Sequence, residues 1–192
     1  MDKPSATDLP TDGQLVKRAC RGERPAFDEL IKRYQRQAVA VSYRLLGNTN
    51  DALEVSQDAF LKAYTSLKTL EQPEAFRGWL MRIVSNLSLN YRRSRKTRSQ
   101  LPLDEILGAD ESAMTQQQPD PLRRAAGQEL GAKLQEALNQ LPEKQRAALV
   151  LFTIEQLPQK EVAQTLQCSV EAVKWHVFQG RKRLKELLAD YL

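Results

Sequence analysis

Residues Lys160–Leu184 read KEVAQTLQCSVEAVKWHVFQGRKRL. The stretch divides into a short helical segment, a turn at Gln167–Ser169 and a longer helical segment, the order of a helix-turn-helix. Ala163 is small enough to let the two helices approach. Val162, Leu166, Val170, Val173 and Val177 can pin both helices to a core. Ser169 is a good N-cap, and Cys168 with Val173 can close a hydrophobic staple across it. At about 100° per residue, Val170, Val173, Val177, Gly180 and Leu184 fall on one side of the second helix. Glu171, Trp175, Phe178, Gln179 and Lys182 fall opposite, flanked by Lys174, His176 and Arg183, with Arg181 nearer the core edge. That surface is where a recognition helix meets the major groove. Lys and Gln can hydrogen-bond base edges there, and aromatic rings can pack on thymine methyls. Arg181, Lys182, Arg183 and Lys185 suit phosphates, which add affinity without sequence information. The competing reading is an ordinary amphipathic helix with Trp175 packed on a neighbouring domain. His176 has no nearby partner for metal ligation or acid–base work.

Outward from this motif, LPEKQRAALVL places Pro142 in the first turn of a helix carrying Ala147, Val150, Leu151 and Ile154. A further helix is predicted over Glu129–Gln140. Residues 128–192 thus read as a small helical domain that ends in the helix-turn-helix. Residues 99–127, with LPLDEILGADESAMTQQQPDPLRR inside them, are rich in Gln, Asp and Pro and hold no aromatic residue; they read as a flexible acidic linker. Residues 12–98 read as four helices. The first runs over Asp12–Arg21 and is closed by Gly22. The second starts near Pro25, carries Phe27, Leu30, Ile31, Tyr34, Ala38, Val41 and Leu45 at helical spacing, and ends at Gly47. The third begins near Asp51, where Asp51 and Glu54 form a predicted capping box. The fourth starts near Glu74 and runs into a basic tail. The fold class is all-α: two small helical domains joined by the linker.

Composition agrees. Helix formers dominate and aromatics are only 6%, while 28% of residues are charged, so β-rich cores are disfavoured. The net charge of +5 is unevenly spread: +7 over residues 1–98, −3 over 99–128 and +1 over 129–192. Cys20 and Cys168 are far apart and lack zinc-like spacing, which points to a reducing compartment and no metal. MDKPSATDLPTDG has no apolar stretch suited to a signal peptide, and no long uncharged run suits a membrane span.

Two helices of the first domain carry unusual surfaces. In EAFRGWLMRIVSNLSLNYRRSRKTR, the spacing sets Phe76, Leu80, Ile83 and Leu87 on one face. Trp79, Arg82, Asn86, Leu89 and Arg93 track along the flank, and Tyr91, Arg92, Arg93, Arg95, Lys96 and Arg98 follow with no acidic residue among them. Aromatics, Asn and Arg on one surface can stack on unpaired bases and hold a strand. A core Trp79 followed by a solvated basic helix end reads equally well. In DALEVSQDAFLKAYTSL, Ala52, Val55, Ala59, Ala63 and Leu67 face inward, with Leu53, Phe60 and Tyr64 alongside. Glu54, Gln57, Asp58 and Leu61 form an acidic-apolar strip that suits protein docking or plain solvation.

In order, FDELIKRYQ, DALEVSQDAFLKAY, FRGWLMRIVSNLSLNYRRSRK, LPEKQRAALVL and KEVAQTLQCSVEAVKWHVFQGRKRL resemble the extracytoplasmic-function (ECF) sigma factors, over about residues 12–98 and 128–190. The resemblance implies that 12–98 is sigma region 2, which binds polymerase core and melts the −10 element, and that 128–192 is region 4, which binds the −35 element. It implies docking of Asp51, Glu54, Gln57, Asp58 and Leu61 on the β′ clamp helices of RNA polymerase. It implies −10 capture of a flipped base by the loop Glu71–Phe76 with Phe76, Trp79, Arg82, Asn86, Tyr91, Arg92, Arg93 and Arg95. The −35 contacts would come from Lys174, Trp175, His176, Phe178, Gln179, Arg181, Lys182 and Arg183. The far side of the second domain would rest on the β flap, and the acidic linker would thread toward the active-site cleft. Trp175 and His176 stand where many members carry a small polar residue and an Arg, so no relative's promoter consensus transfers. A separate anti-sigma factor is common in the family. The setting implied is the bacterial cytoplasm, with no cofactor and no membrane insertion.

The main rival is a dimeric helix-turn-helix regulator indifferent to polymerase core. It calls for a ligand or receiver domain upstream, and residues 12–95 offer neither a βα alternation nor a pocket signature. An enzyme would need a phosphate-cradling Gly loop, a metal cluster or a nucleophile–base pair, and the chain has one His.

Overall fold

Thr11 opens the first helix with a capping box: its hydroxyl accepts the Gln14 N–H and the Gln14 side chain accepts the Thr11 N–H. The structure, a computed structural model, describes residues 9–99 and 121–191. Helix α1 spans Asp12–Cys20, α2 Arg24–Leu46, α3 Thr49–Ser66 and α4 Phe76–Ser99; these make the first lobe. The second lobe holds α5 (Pro121–Asn139), α6 (Glu143–Ala148, continued as a π-helical turn over Leu149–Ile154), α7 (Gln159–Leu166) and α8 (Val170–Leu187). The acidic stretch up to residue 120 lies outside the described residues, and α5 begins at Pro121, ahead of the predicted start at Glu129. A proline suits that first turn because it has no N–H to leave unsatisfied.

The stops are local. Gly47 has φ 77° and donates its N–H to the Tyr43 carbonyl, a left-handed cap that a side chain would strain. The start of α3 corrects the predicted capping box. Asn48, in extended conformation, accepts the Asp51 N–H at 3.0 Å, so the cap lies three residues earlier and Asp51 sits in the first turn.

In the first lobe α2, α3 and α4 meet around small residues. Ser42, Ser56 and Ser88 are buried there; Ser56 and Ser88 each lie 3.3 Å from the Ser42 hydroxyl, and each also donates to a carbonyl of its own helix. Buried hydroxyls need such partners, and their small volume brings the helices close. The inward face of α4 is Phe76, Leu80, Met81, Val84, Ser85, Ser88 and Leu89. Ile83 and Leu87, expected at its centre, are only partly buried, and Leu89, expected on the flank, is inside. The helix is rolled so that its small serines pass α2, a choice that apolar spacing alone does not express.

In the second lobe Val162, Ala163 and Leu166 of α7 pack with Val173 and Val177 of α8. A Cβ on Gly180 would lie 2.8 Å from Leu149 Cδ1 and 3.3 Å from the Gln145 carbonyl oxygen. The glycine therefore sets how close α8 lies to α6. Gly180→Val is expected to destabilise the chain by roughly 1–3 kcal/mol through overpacking. A lower denaturant midpoint with unchanged slope would show it; an unchanged midpoint would mean that α8 does not press on α6.

Arg146 is 2% exposed. It donates to the Asn139 side chain and carbonyl and, across the lobes, to the Leu45 carbonyl at 3.1 Å. Burial, with Arg92 close by, pushes its pKa down to about 10. The buried apolar residues of both lobes join into one cluster.

Candidate nucleic-acid interface

The recognition helix is aimed by its first turn. Gln167 takes a left-handed conformation, φ 50°, and ends α7. Ser169 then caps α8, its hydroxyl accepting the Ala172 N–H at 3.1 Å. Val173, Val177 and Gly180 point into the core. Trp175, 53% exposed, and Phe178, 65% exposed, stand in solvent on the other side. Lys174, Lys182, Arg183 and Lys185 are exposed and Gln179 is half-buried. Arg181 is exposed and donates to the Thr153 hydroxyl at 3.2 Å. The predicted phasing is the observed one, and among the described residues no neighbouring domain covers Trp175.

His176 is half-buried beneath this surface, its ring edge-on to Trp175 at 5.1 Å. Desolvation and the positive charge of Lys144 lower its pKa, so the imidazole is neutral near pH 7. It supports Trp175 more than it reaches outward.

The first lobe brings part of the predicted strand-binding set together. Leu70, Glu71, Gln72, Trp79 and Arg82 line a pocket of about 500 Å³, with Glu161 of α7 on its far wall. Trp79 packs on the core with its ring 6.0 Å from that of Phe76. Asn86 is exposed. Phe76 corrects the expectation of a base contact. It is fully buried, tilted against Tyr34 at 5.7 Å, and anchors the start of α4. The basic end of α4 is also not an unoccupied row of cations. Tyr91 donates to Asp51 at 2.9 Å, Arg95 pairs with the same carboxylate, and Arg92 donates to the Leu45 carbonyl at 3.1 Å. Arg93 pairs with Glu143 at 3.6 Å. Burial and Asp51 raise the Tyr91 pKa, so the phenol stays protonated.

Asp51 is thereby separated from the strip it was expected to share. Its side chain is 15% exposed and engaged by α4. Glu54, Gln57 and Asp58 remain exposed, and Leu61 is 66% exposed. Beside them runs an apolar groove of about 770 Å³ between α2 and α3, lined by Phe27, Ile31, Val39, Leu53, Phe60 and Tyr64 among others. Leu53 and Tyr64, expected alongside the inward stripe, form its rim, 41% and 43% exposed.

Sequence reasoning also passed over Glu155, which is 3% exposed and meets Arg44, Arg77 and Gln37 of the first lobe. Its signal is a lone carboxylate that ends the apolar run LVLFTI just before Leu157–Pro158. No helix among the described residues is long and apolar enough to cross a membrane.

Residues 30–98 match the family described as sigma-70 region 2, and residues 131–184 match sigma-70, region 4. The chain is 35% identical to the ECF RNA polymerase sigma factor SigE of Mycolicibacterium smegmatis, over 87% of this chain and 63% of that protein. It is 30% identical to the ECF RNA polymerase sigma factor SigW of Bacillus subtilis, over 91% of this chain and 95% of that one. Among solved structures it resembles CnrH in complex with the cytosolic domain of CnrY, at 28% identity and a TM-score of 0.60, over 94% of this chain and 99% of the other.

Proposed function

Because the chain belongs to the ECF RNA polymerase sigma factors, non-enzymatic proteins that direct the polymerase to promoters, we propose a role for each of its surfaces. The α8 face with Lys174, Trp175, Phe178 and Gln179 reads the −35 duplex. Arg181, Lys182 and Arg183 hold its phosphates, and His176 supports Trp175. The pocket around Trp79 and Arg82, with Asn86 beyond it, captures the unpaired −10 strand. Tyr91 braces the end of α4, and Arg92, Arg93 and Arg95 brace it too and add positive potential near that strand. Glu54, Gln57, Asp58 and Leu61 dock on the β′ clamp helices, and Asp51 holds α4 in place behind them. The acidic linker enters the active-site cleft, and the outer side of the second lobe meets the β flap.

The observation that carries this reading is the pair of solvent-exposed rings on a helix whose opposite side is locked by Gly180 and whose tail is basic. Aromatics so placed are costly to leave in water and suit a groove. CnrH was captured with the cytosolic domain of CnrY, which supports a further protein partner for this chain, such as the anti-sigma factor that the family resemblance implies. Bacterial relatives support a cytoplasmic setting.

Transcription by purified polymerase core on a fragmented genomic library tests the reading. Added chain is expected to produce discrete start sites sharing upstream elements. A chain that runs as a dimer on gel filtration, with or without core, and yields no new starts would favour the regulator that acts without polymerase.

A further inference from the structure

Glu155 is a charge placed where a charge is expensive. Its side chain is 3% exposed, and its ligands come from the other lobe. Arg44 Nη1 lies 3.7 Å and Arg77 Nη2 3.4 Å from its carboxylate oxygens, and the Gln37 amide donates to it. Arg77 Nη1 also donates to the Glu155 backbone carbonyl at 3.3 Å. The chain is shaped for this. The Glu155 N–H bonds the Val150 carbonyl, five residues back, and Gln156 has φ 57°. The wide turn swings Glu155 out of the helical stripe and toward the first lobe. Nearby, Glu161 lines the pocket beside Trp79, and Arg82 donates to Gln164 at 3.5 Å. Thus α7 lies over the strand-capturing pocket, whereas Trp175, Phe178, Lys174, Lys182 and Arg183 stay exposed.

Resting on the strand-capture reading above, we propose that Glu155 latches the free chain closed, with its own second lobe covering the −10 pocket while the −35 helix stays open. The latch is reversible for a physical reason. Desolvating the carboxylate offsets much of its attraction to the two partly exposed guanidinium groups, so releasing these three charges to water costs little by itself. A free chain closed in this way engages upstream duplex before it can hold an unpaired strand.

The test uses the full chain without polymerase. Its variants are Glu155→Gln and the first-lobe double variant Arg44→Ala with Arg77→Ala. Radius of gyration is read by small-angle X-ray scattering. Anisotropy reports binding of a fluorescein-labelled AT-rich single strand and of a duplex. Both variants are expected to enlarge the chain and to tighten single-strand binding about tenfold, as the competent fraction rises, with duplex affinity little changed. They alter net charge in opposite directions, so a common gain cannot come from charge. Because the double variant leaves the second lobe untouched, a folding defect at Glu155 does not explain a shared result. Unchanged dimensions, or strand and duplex affinities that follow net charge together, would overturn the latch. Opening without a gain for the single strand would overturn the covering of the pocket. Trp79→Ala in the holoenzyme judges the strand-capture reading separately: loss of strand binding there upholds it.

Discussion

Glu54→Arg together with Asp58→Arg is expected to weaken binding to polymerase core by roughly 2–4 kcal/mol, about 30- to 1000-fold, while the circular dichroism of the chain stays unchanged. Both carboxylates are exposed on α3, on the side away from Ala52, Val55, Ala59 and Ala63, so the fold does not depend on them. Where the docked carboxylates meet cationic groups on core, reversal adds like-charge repulsion to the loss of attraction, so its effect exceeds that of truncation. Leu61→Ala tests the apolar part of the same strip. A 66% exposed leucine stabilises little in the free chain and gains its value only when a partner covers it. Titration of core with labelled chain reads both. Unchanged affinity in the double reversal would move the docking surface elsewhere, the α2–α3 groove being the next candidate.

The second large effect separates two groups on α8. Gln179→Ala or Lys174→Ala is expected to cost roughly 1–3 kcal/mol at one position of the −35 element and to relax the base preference there. Lys182→Ala is expected to weaken all upstream variants alike and to reduce the salt dependence of binding. The difference follows from position. Lys174, Trp175 and Gln179 precede Gly180 on the part of the helix that faces away from the core, whereas Lys182, Arg183 and Lys185 lie on the turns beyond it. Competition binding of holoenzyme to a library of upstream variants reads the split. A uniform loss for Gln179→Ala, joined to a changed preferred base for Lys182→Ala, would mean that α8 enters the groove at the other end.

What the amino-acid order determines by itself is whatever a helix decides within a few residues. Ser169 caps α8 because its hydroxyl reaches an N–H three residues on. Gly22 and Gly47 stop helices because only they take positive φ there without strain. The valine stripe of α8 forces Trp175 and Phe178 outward, and this phasing holds in the structure because every interaction behind it lies within one helix and its partner across a tight turn. The exposed strip Glu54–Leu61 is legible for the same reason.

Tertiary structure decided what depends on partners far along the chain. The face of α4 was settled by Ser42 of α2, joined to Ser56 of α3, which admits Ser88 and leaves Ile83 and Leu87 at the margin. Tyr91, Arg92 and Arg95 look like a free basic tail in sequence, but Asp51 and the Leu45 carbonyl lie within reach only after α2, α3 and α4 pack. Glu155 was the least legible of all. Its worth depends on Gln37, Arg44 and Arg77 in the other lobe, and on a π-helical turn that local propensity does not specify. Charge pairing acts through space between side chains that helical periodicity assigns only to a face, so the identity of each partner emerges when two faces meet.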